Sequence, residues 1–505
     1  MDKPSLLNFF LVNATGQLIS RVISFIINLY LLRKVDPVLI GLVNVRLTLL
    51  YTTILFLVRE PLRKTCLGER VNSISSYINH LWLAPVICLC ISTPLVPIWY
   101  YLASGSVPPE YADGYLFVKS GETAHFAFAQ SLLILLQRVF VLAIIIANVS
   151  STIAAFCSAQ ILASVVYLFV HVYHFYKLSV SRNFADAPLG INNFREYFPS
   201  MNCGLNDVIL KRIGSFLLHS IFKQLLTDGS GFVMTFTNTI GLANQAVYDA
   251  IERLGSLVAR IVLAPLEESS YIYFSSEFQR DVPIGDQRKE KVDNGVKTLK
   301  ILLRITTLLA AVIIVFGIAY ARIAVGLYGG DLLSNNQGGA LLSCYLGYLF
   351  VMAVNGITEC FSAATMSNSD VFMHMGFLFL SATAHLGLNV AFSFYFAAFG
   401  FIAANSVNMV VRITYSWQHI QRYLGRRWTP TLYDLLPTRS TIILLLFALF
   451  VTNLSNSIFG STSGLLHNGA HIAIGGVMFL IVTLNTYSSE VFLQQLVNKS
   501  LQHQD

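Results

Sequence analysis

Polar residues recur at helical spacing within the apolar stretch 7–32, with Arg21 near its centre. Asn13, Gln17, Arg21, Ser24 and Asn28 follow one another at intervals of three or four residues, which places them on one face of a helix. A charged side chain at bilayer depth costs about 2.5–3.5 kcal/mol on insertion scales, so it is kept where it faces protein or a water-filled cavity. This helix is therefore predicted to line a polar space.

Five further apolar segments carry similar polar stripes. Segment 38–58 has Asn44, Thr48, Tyr51 and Thr52 on one face, Arg46 elsewhere, and Arg59 and Arg63 at its end; 205–227 has His219, Lys223 and Thr227; 240–276 has Gln245, Asp249, Arg253, Ser256, Arg260 and, past Pro265, Glu267 and Glu268; 338–366 has Asn355, Glu359 and Ser362; 397–421 has Asn405, Asn408, Arg412, Ser416 and His419. Asp249 and Arg253 stand four residues apart, which predicts an ion pair along the helix.

The central charges of these stripes favour binding of an anion. Arg21, Arg260 and Arg412 near span centres outnumber Glu359, and arginine forms bidentate hydrogen bonds that suit a pyrophosphate. Near span ends, as at Arg59 and Arg63, snorkelling to the interface is the favoured interpretation.

Catalysis is disfavoured by the same residues. No G-x-S-x-G, H-E-x-x-H or phosphate-binding glycine loop is present. Glu267 and Glu268 point about 100° apart as neighbours on a helix and so make a poor acid–base pair. The seven cysteines are scattered and are interpreted as small apolar residues, so neither a metal nor another cofactor is predicted.

The composition is that of a polytopic membrane protein. Of 505 residues, 55% are apolar and only 12% charged, about half the charged fraction of a soluble domain. Mean hydropathy is +0.63. The net charge of +7 lies mostly in loops, as topology demands, and does not indicate nucleic-acid binding. No removable signal peptide is expected, because the first apolar stretch is too long for one and has no clear cleavage site.

Thirteen hydrophobic segments position these stripes, and helix is the only secondary structure that suits their length. They are 7–32, 38–58, 79–103, 124–147, 152–177, 205–227, 240–276, 299–328, 338–366, 371–394, 397–421, 439–460 and 468–497. The fold class is thus an all-α membrane bundle. A weak duplication divides it into an N-terminal lobe (1–198), a C-terminal lobe (199–436) and two extra C-terminal helices (437–505), a plan that recurs in transporters.

The positive charges of the loops reveal an inconsistency in the N-terminal lobe. Basic residues concentrate in 59–77, 177–212, 277–298 and 422–439, which predicts that all four loops are cytosolic. Only three segments separate 59–77 from 177–212, and an odd number of crossings cannot return a chain to the same side. One crossing is therefore absent or unrecognised near 104–123, a stretch too short and too polar to supply it.

Eleven sequence strings resemble the Rft family of dolichol-linked oligosaccharide translocation proteins, in order along nearly the whole chain. They are GLVNVRLTLLY (41–51), FLVRE (56–60), RKTC (63–66), FKQLLTD (222–228), VMTF (233–236), VYD (247–249), LGSLVAR (254–260), PLEES (265–269), NGITECF (355–361), NMVVRIT (408–414) and AHIA (470–473). The resemblance implies fourteen spans and the fold of the multidrug/oligosaccharidyl-lipid/polysaccharide exporter superfamily, similar to bacterial lipid II flippases.

The resemblance also implies a non-enzymatic function. A dolichol-pyrophosphate heptasaccharide, five mannoses on two N-acetylglucosamines, would move from the cytosolic to the lumenal leaflet of the endoplasmic reticulum for protein N-glycosylation. The expected partners are this glycolipid, the bilayer and other proteins of the pathway. Polar stripes and matching family positions together predict a substrate-binding set of Arg21, Arg46, Arg59, Arg63, Lys223, Asp249, Arg260, Glu267, Glu268, Glu359 and Arg412.

The chain departs from the family at one place, and three rival functions stay open. The family's fourth span is missing where 107–116 runs almost directly into 117–122. This is the place where the positive charges of the loops indicate that one membrane crossing is absent. A splice form, a gene-model error and real divergence all fit this departure.

The rival functions are a non-transporting auxiliary or scaffold of the pathway, an ion-coupled antiporter for organic cations, and a polytopic glycosyltransferase. The last two would require acidic residues in a cavity or in a lumenal loop.

Overall fold

The computed structural model describes most of the predicted helices and forms two compact units, Met1–Ala246 and Val247–Asp505. The described residues are 25–67, 74–103, 139–140, 143–144, 156–166, 169, 173, 205–237, 239–279, 282–459 and 465–490. Arg21, the segment 104–123, most of the segments 7–32 and 124–147, and half of the segment 152–177 lie outside them. The predicted lobe boundaries at 198 and 436 stay predictions.

Among the described residues, the first unit contains helices α1 to α7 and the beginning of α8. Their bounds are 25–34 for α1; Pro37–Gly41, a π-turn at Leu42–Leu47 and Thr48–Leu67 for α2; Ile74–Leu81 for α3; Leu83–Ala103 for α4; Phe156–Val166 for α5; Asp207–Thr227 for α6; and Gly229–Thr237 for α7. Asp36 caps α2 by accepting a hydrogen bond from the backbone N–H of Val38 at 3.2 Å, and Pro37 follows at the first helical position.

The second unit begins within α8 and contains the long helices α9 to α14. Their bounds are Leu242–Val258, a π-turn at Ala259–Leu263 and Ala264–Glu277 for α8; Lys289–Asn335 for α9; Gly338–Thr365 for α10; Asn368–Phe396 for α11; Ala398–Trp428 for α12; Arg439–Phe459 for α13; and Leu465–Ser489 for α14. The described residues contain no strand. The all-α prediction is confirmed.

Seven of the described helices are long and apolar enough to span a membrane. They coincide with predicted segments 38–58, 79–103, 299–328, 338–366, 371–394, 439–460 and 468–497. The helices α6, α8 and α12 fall outside this set because charged and amide side chains lower their hydropathy. These three helices are therefore the ones that most need protein or water around them.

Apolar side chains hold the second unit together at two places. An aromatic cluster in which Phe274, Phe278 and Phe361 meet edge to face packs α8 against α10, with Leu299 and Leu303 of α9 beneath it. A second cluster, with Leu308, Leu445 and Met478, joins α9, α13 and α14. These two clusters fix α8 and α10 on one side of α9 and the C-terminal pair on another.

Local sequence signals set the ends of the helices in this unit. Ser367 caps α11: its hydroxyl accepts from the backbone N–H of Asp370 at 3.0 Å and donates to the Asp370 carboxylate at 2.7 Å. That hydroxyl hydrogen bond holds the pKa of Asp370 below its ordinary value. Gly425 adopts a φ of +68° and kinks α12 before its basic end.

Candidate functional site

A charged pair lies at the interface of α10 and α12. Nη2 of Arg412 donates to both carboxylate oxygens of Glu359, each at 2.6 Å, with the two side chains 26% and 27% exposed. Asn355, one helical turn before Glu359, donates its amide to the same carboxylate at 2.9 Å. The predicted stripes of 338–366 and 397–421 thus bring an acid and a base together inside the second unit.

The polar contacts continue along the same two helices. The hydroxyl of Ser362 donates to the carbonyl of Ser416 at 3.2 Å, and Thr365 is hydrogen-bonded to His419 at 3.0 Å. Each contact lies about one helical turn beyond the last, so the two stripes form a continuous line of polar contacts, here called the α10–α12 seam. Because these buried groups satisfy one another, the seam holds Glu359 and Arg412 in register.

Glu267 of α8 lies beside this seam. Its carboxylate occupies the space where a Cβ on Gly356 would stand, and the Cys360 thiol donates to its backbone carbonyl at 3.3 Å. Electrostatic interactions reach Glu267 from both Glu359 and Arg412. Glu268 is exposed, so the two neighbouring carboxylates diverge, as predicted.

The guanidinium of Arg412 has a hydrogen-bond donor to spare. Its Nε is buried and has no acceptor among the described residues, and Oδ1 of Asn355 is buried there without a donor. A buried donor without a partner costs about 1–3 kcal/mol. This Nε is therefore a donor that an anion bound to Arg412 can use, once the charge of the neighbouring carboxylates is offset.

Helix α8 carries the remaining charged residues of its stripe. Arg253 Nε donates to both carboxylate oxygens of Asp249 at 2.8 and 2.7 Å, which confirms the predicted ion pair. Arg260 stands in the π-turn, and its Nη2 donates to the Ser256 hydroxyl at 2.5 Å and to the Arg253 carbonyl at 3.0 Å. Arg260 is exposed, so its guanidinium lies along the helix surface where a ligand can reach it.

Arg46 takes a different place in the first unit. It lies in the π-turn of α2 and is fully buried, with its Nε donating to Oε1 of Gln245 at 3.3 Å. Gln245 in turn donates to the carbonyls of Met234 and Ile240, both at 3.0 Å. These contacts join α2, α7 and the start of α8, so Arg46 helps to hold the helices that carry the neighbouring stripe.

The other predicted residues of the first unit are described only in part. Arg59 is half-buried, and the adjoining Glu60 is 1% exposed. Lys223 and Arg63 lie on described helices, but the placement of their side chains lies outside the description, as does Arg21 altogether. Next to Lys223, Gln224 donates to Asp228 at 2.6 Å and to Thr53 at 3.3 Å, which joins α6 to α2.

Sequence reasoning missed a second polar network, between α11 and α12. His385 is hydrogen-bonded to Asn405 at 2.7 Å and to Asn389 at 3.0 Å, and Ser381 donates to Asn408 at 2.8 Å. The signal was present: Ser381, His385 and Asn389 recur every four residues within segment 371–394. With the α10–α12 seam, this network gives α12 polar neighbours on two sides.

The described residues contain no group of three or more side chains able to hold a metal ion.

A helix bundle with paired charges and amide networks inside it defines a polytopic membrane protein with a transporter fold. Two solved structures share this fold. Lipid II flippase MurJ, in an inward closed conformation, matches with a TM-score of 0.58 and 11% identity over 95% of this chain and 100% of that one. An inward-facing multidrug resistance MATE family transporter of the MOP superfamily matches with a TM-score of 0.50 and 15% identity over 82% and 94%.

The chain belongs to the Rft protein family, whose sequence model matches residues 8–113 and 115–499. Relatives named Man(5)GlcNAc(2)-PP-dolichol translocation protein RFT1 are 38% identical in Caenorhabditis elegans, over 99% of this chain and 100% of the relative, and 32% identical in Xenopus tropicalis, over 96% and 95%. A Mus musculus relative of the same name is 32% identical over 93% and 92%. The resemblance deduced from the sequence is thereby confirmed.

The match to the family is interrupted at the predicted point of departure. The family model breaks at residue 114, and the alignment to the Caenorhabditis elegans relative runs over 525 positions, at least 20 more than the 505 residues of this chain. About 20 residues is the length of one transmembrane helix. Both observations agree with the prediction, made from the positive charges of the loops, that one membrane crossing is absent here.

Proposed function

We propose that this chain moves a dolichol-pyrophosphate-linked oligosaccharide from the cytosolic to the lumenal leaflet of the endoplasmic reticulum membrane, for protein N-glycosylation. The observation that carries the proposal is its membership of a family whose relatives, up to 38% identical over their whole length, are named translocation proteins for Man(5)GlcNAc(2)-PP-dolichol. The protein acts as a transporter and not as an enzyme.

The physical task explains why charged groups are retained inside the bundle. A pyrophosphate and several sugars cannot cross hydrocarbon unaided, since each polar group taken out of water without a partner costs several kcal/mol. Arginine offers bidentate donors to the pyrophosphate oxygens. The amide and imidazole groups of the α11–α12 network have the donor and acceptor mixture that sugar hydroxyls require.

The substrate-binding residues of this proposal divide by their surroundings. Arg412 and Arg260 present guanidinium groups that a pyrophosphate can reach, and Glu359 holds Arg412 until it does. Arg46 and the Asp249–Arg253 pair position helices from within. Arg21, Arg59, Arg63, Lys223, Glu267 and Glu268 complete the proposed set.

Transport by the purified protein is the direct test. Full-length chain is reconstituted into liposomes with labelled Man5GlcNAc2-PP-dolichol, and arrival in the opposite leaflet is measured. We expect transfer well above that of empty liposomes. Arg412→Gln and Arg260→Glu should lower it at least tenfold, about 1.4 kcal/mol in the barrier. Arg288→Gln, in an exposed loop, is the matched control.

The same experiment separates a transporter from an auxiliary scaffold of the pathway. A scaffold would bind the glycolipid but move it no faster than empty liposomes do, and it would tolerate charge reversal at Arg21 and Arg260 as long as it folds. Binding without transfer, together with unchanged behaviour of Arg21→Glu and Arg260→Glu, would contradict the proposed function.

A further inference from the structure

Two acids share one base in the second unit. Glu267 from α8, Glu359 from α10 and Arg412 from α12 converge at the α10–α12 seam, and Arg412 forms its ion pair with Glu359. The cluster therefore carries one negative charge more than it can neutralise among its own members when both acids are ionised. Two carboxylates that share a partly buried site cannot both ionise freely, and one of them takes up a proton more readily.

The placement of Gly356 brings the two acids together. Glu359 lies three residues after Gly356 on α10, and positions three apart on a helix have Cβ atoms about 5–6 Å from each other. Because the Glu267 carboxylate fills the Cβ position of Gly356, it lies close enough to Glu359 for the two charges to interact. Any other residue at 356 would exclude this approach.

Among the described residues, the charges around the cluster supply no second arginine or lysine paired with Glu267 or Glu359. From α8, Glu252 and Arg260 act on the tyrosines 345 and 348 of α10. Cys360 adjoins Glu267. His374 of α11 interacts first with the charge of Glu359 and then with that of Arg412, while His385 interacts with Arg412. The bases of α9 are engaged elsewhere, since Lys300 and Arg304 pair with Asp434 and Glu490.

Arg322, also on α9, lies beside Gly339 at the other end of α10. The 17 residues between Gly339 and Gly356 correspond to about 25 Å of helix, so Arg322 is remote from both carboxylates. In the part of the chain that the structure describes, Arg412 is thus the permanently charged base that is paired with this cluster.

We propose that Glu267 and Glu359 form a proton-binding pair that is controlled by the anion bound to Arg412. This inference rests on the proposed function. A pyrophosphate that takes the guanidinium of Arg412 removes the counter-charge from Glu359. A proton from water then adds to one carboxylate oxygen of the pair and forms an O–H bond. When the anion leaves, Arg412 returns to Glu359 and the proton is released to water, so that each transported anion is accompanied by one proton.

The test measures proton uptake on binding. Full-length protein in lipid nanodiscs is titrated with farnesyl-pyrophosphoryl-N-acetylglucosamine, whose pyrophosphate diester stays fully ionised near neutral pH. Calorimetry in two buffers with different ionisation enthalpies gives the number of protons exchanged. We expect about one proton taken up, and an affinity that weakens up to tenfold per pH unit as the pH rises.

Variants locate the proton. Glu267→Gln and Glu359→Gln should bind the probe with no proton uptake and with an affinity independent of pH, whereas Glu267→Asp should retain both effects. Glu290→Gln, at the exposed start of α9, is the matched control, and thermal unfolding establishes that each variant is folded.

The outcomes distinguish this inference from the function on which it rests. Probe binding with no linked proton in the unaltered protein, or with uptake unchanged in both glutamine variants, overturns the proton-binding pair and leaves transport intact. Absence of probe binding, together with absence of glycolipid transfer in liposomes, overturns the proposed function and the inference with it.

Discussion

Arg412 and Glu359 depend on each other, and this dependence can be measured. Removing one partner leaves the other partly buried and uncompensated, so we expect Arg412→Gln or Glu359→Gln alone to lower the free energy of unfolding by about 1–3 kcal/mol. The double variant should cost clearly less than the sum of the two single ones. Thermal unfolding in detergent gives the three values, and strict additivity would mean that the pair contributes nothing as a pair.

Gly356 makes a sharp prediction because a matched glycine lies on the same helix. Alanine normally favours a helix over glycine by about 1 kcal/mol. At Gly347, where a Cβ meets open space, Gly347→Ala should therefore stabilise the protein slightly. At Gly356 the new methyl group overlaps the Glu267 carboxylate, the end of a flexible side chain, which must turn away, so Gly356→Ala should lack this gain in stability. Equal melting temperatures for both variants would show that Glu267 does not occupy that space.

At the residue scale, sequence periodicity predicted which face of a helix is polar better than it predicted which residues contact each other. The stripes that contain Glu359 and Arg412 were visible because polar residues at intervals of three and four stand out in apolar segments. That these two stripes meet each other is a matter of helix packing, which no spacing within one helix reveals. Asp249 and Arg253 were predictable as a pair because both members lie on the same helix.

At the scale of the element, both described π-turns contain an arginine of the predicted set. Leu42–Leu47 carries Arg46, and Ala259–Leu263 carries Arg260. A π-turn inserts one extra residue into a helix and thereby shifts the face that follows it. A strict period of 3.6 cannot anticipate this shift, which explains why Arg46 had to be placed off the stripe of its own segment and why the stripe of α8 changes after Arg260.

One buried histidine, His471, forms hydrogen bonds that link helices α13 and α14 to α9. His471 is hydrogen-bonded through Nδ1 to the Ser455 hydroxyl at 2.7 Å and through Nε2 to the Ala319 carbonyl at 3.3 Å, and its ring stacks on Tyr320 with centroids 4.3 Å apart. The Tyr320 hydroxyl donates to the His471 carbonyl at 2.8 Å. These contacts add to the apolar cluster, the Phe316–Phe479 ring contact and the Arg304–Glu490 ion pair that also link these helices.

His471→Phe tests how much these contacts stabilise the C-terminal helices. The ring stacking remains, but Ser455 loses its buried partner, so we expect a loss of about 1–3 kcal/mol in the free energy of unfolding. Ser457→Ala removes an exposed hydroxyl from the same helix as Ser455 and serves as the control, with little change. The measurement is thermal unfolding in detergent. An unchanged melting temperature for His471→Phe would contradict a structural role of this network.

At the scale of the whole molecule, the sequence identified the class of protein and most of its helices. Low charge and long apolar segments dictate helices in a bilayer, and the described bounds of α9 to α13 confirm them. The polar-striped α8 and α12 were found as well, since their stripes compensate for weak hydropathy. The division of the chain into packed units depends on contacts between distant segments, which lie beyond reach of local patterns.

The membrane topology of the N-terminal part allows a prediction about which side of the membrane the loop 59–77 faces. Positive charges place 59–77 and 177–212 on one side of the membrane, while three apolar segments between them demand opposite sides. If one crossing is absent at residue 114, the chain must leave one basic loop in the lumen, and 59–77 carries fewer basic residues than 177–212. We therefore expect 59–77 to reach the lumen in part of the molecules.

Glycosylation reporters check this expectation. A flexible insert with an N-glycan acceptor is placed in 68–73 of one variant and in 185–190 of another, and each is expressed in microsomes. The first should be glycosylated in part and the second not at all. Insertion of an apolar helix of about 20 residues at residue 114, where the family match is interrupted, should restore an even number of crossings and abolish glycosylation at 68–73. If neither site is glycosylated in the unaltered chain, a fourth crossing already exists between 104 and 155. In that case the charges of the loops have described the topology correctly, and the count of apolar segments has not.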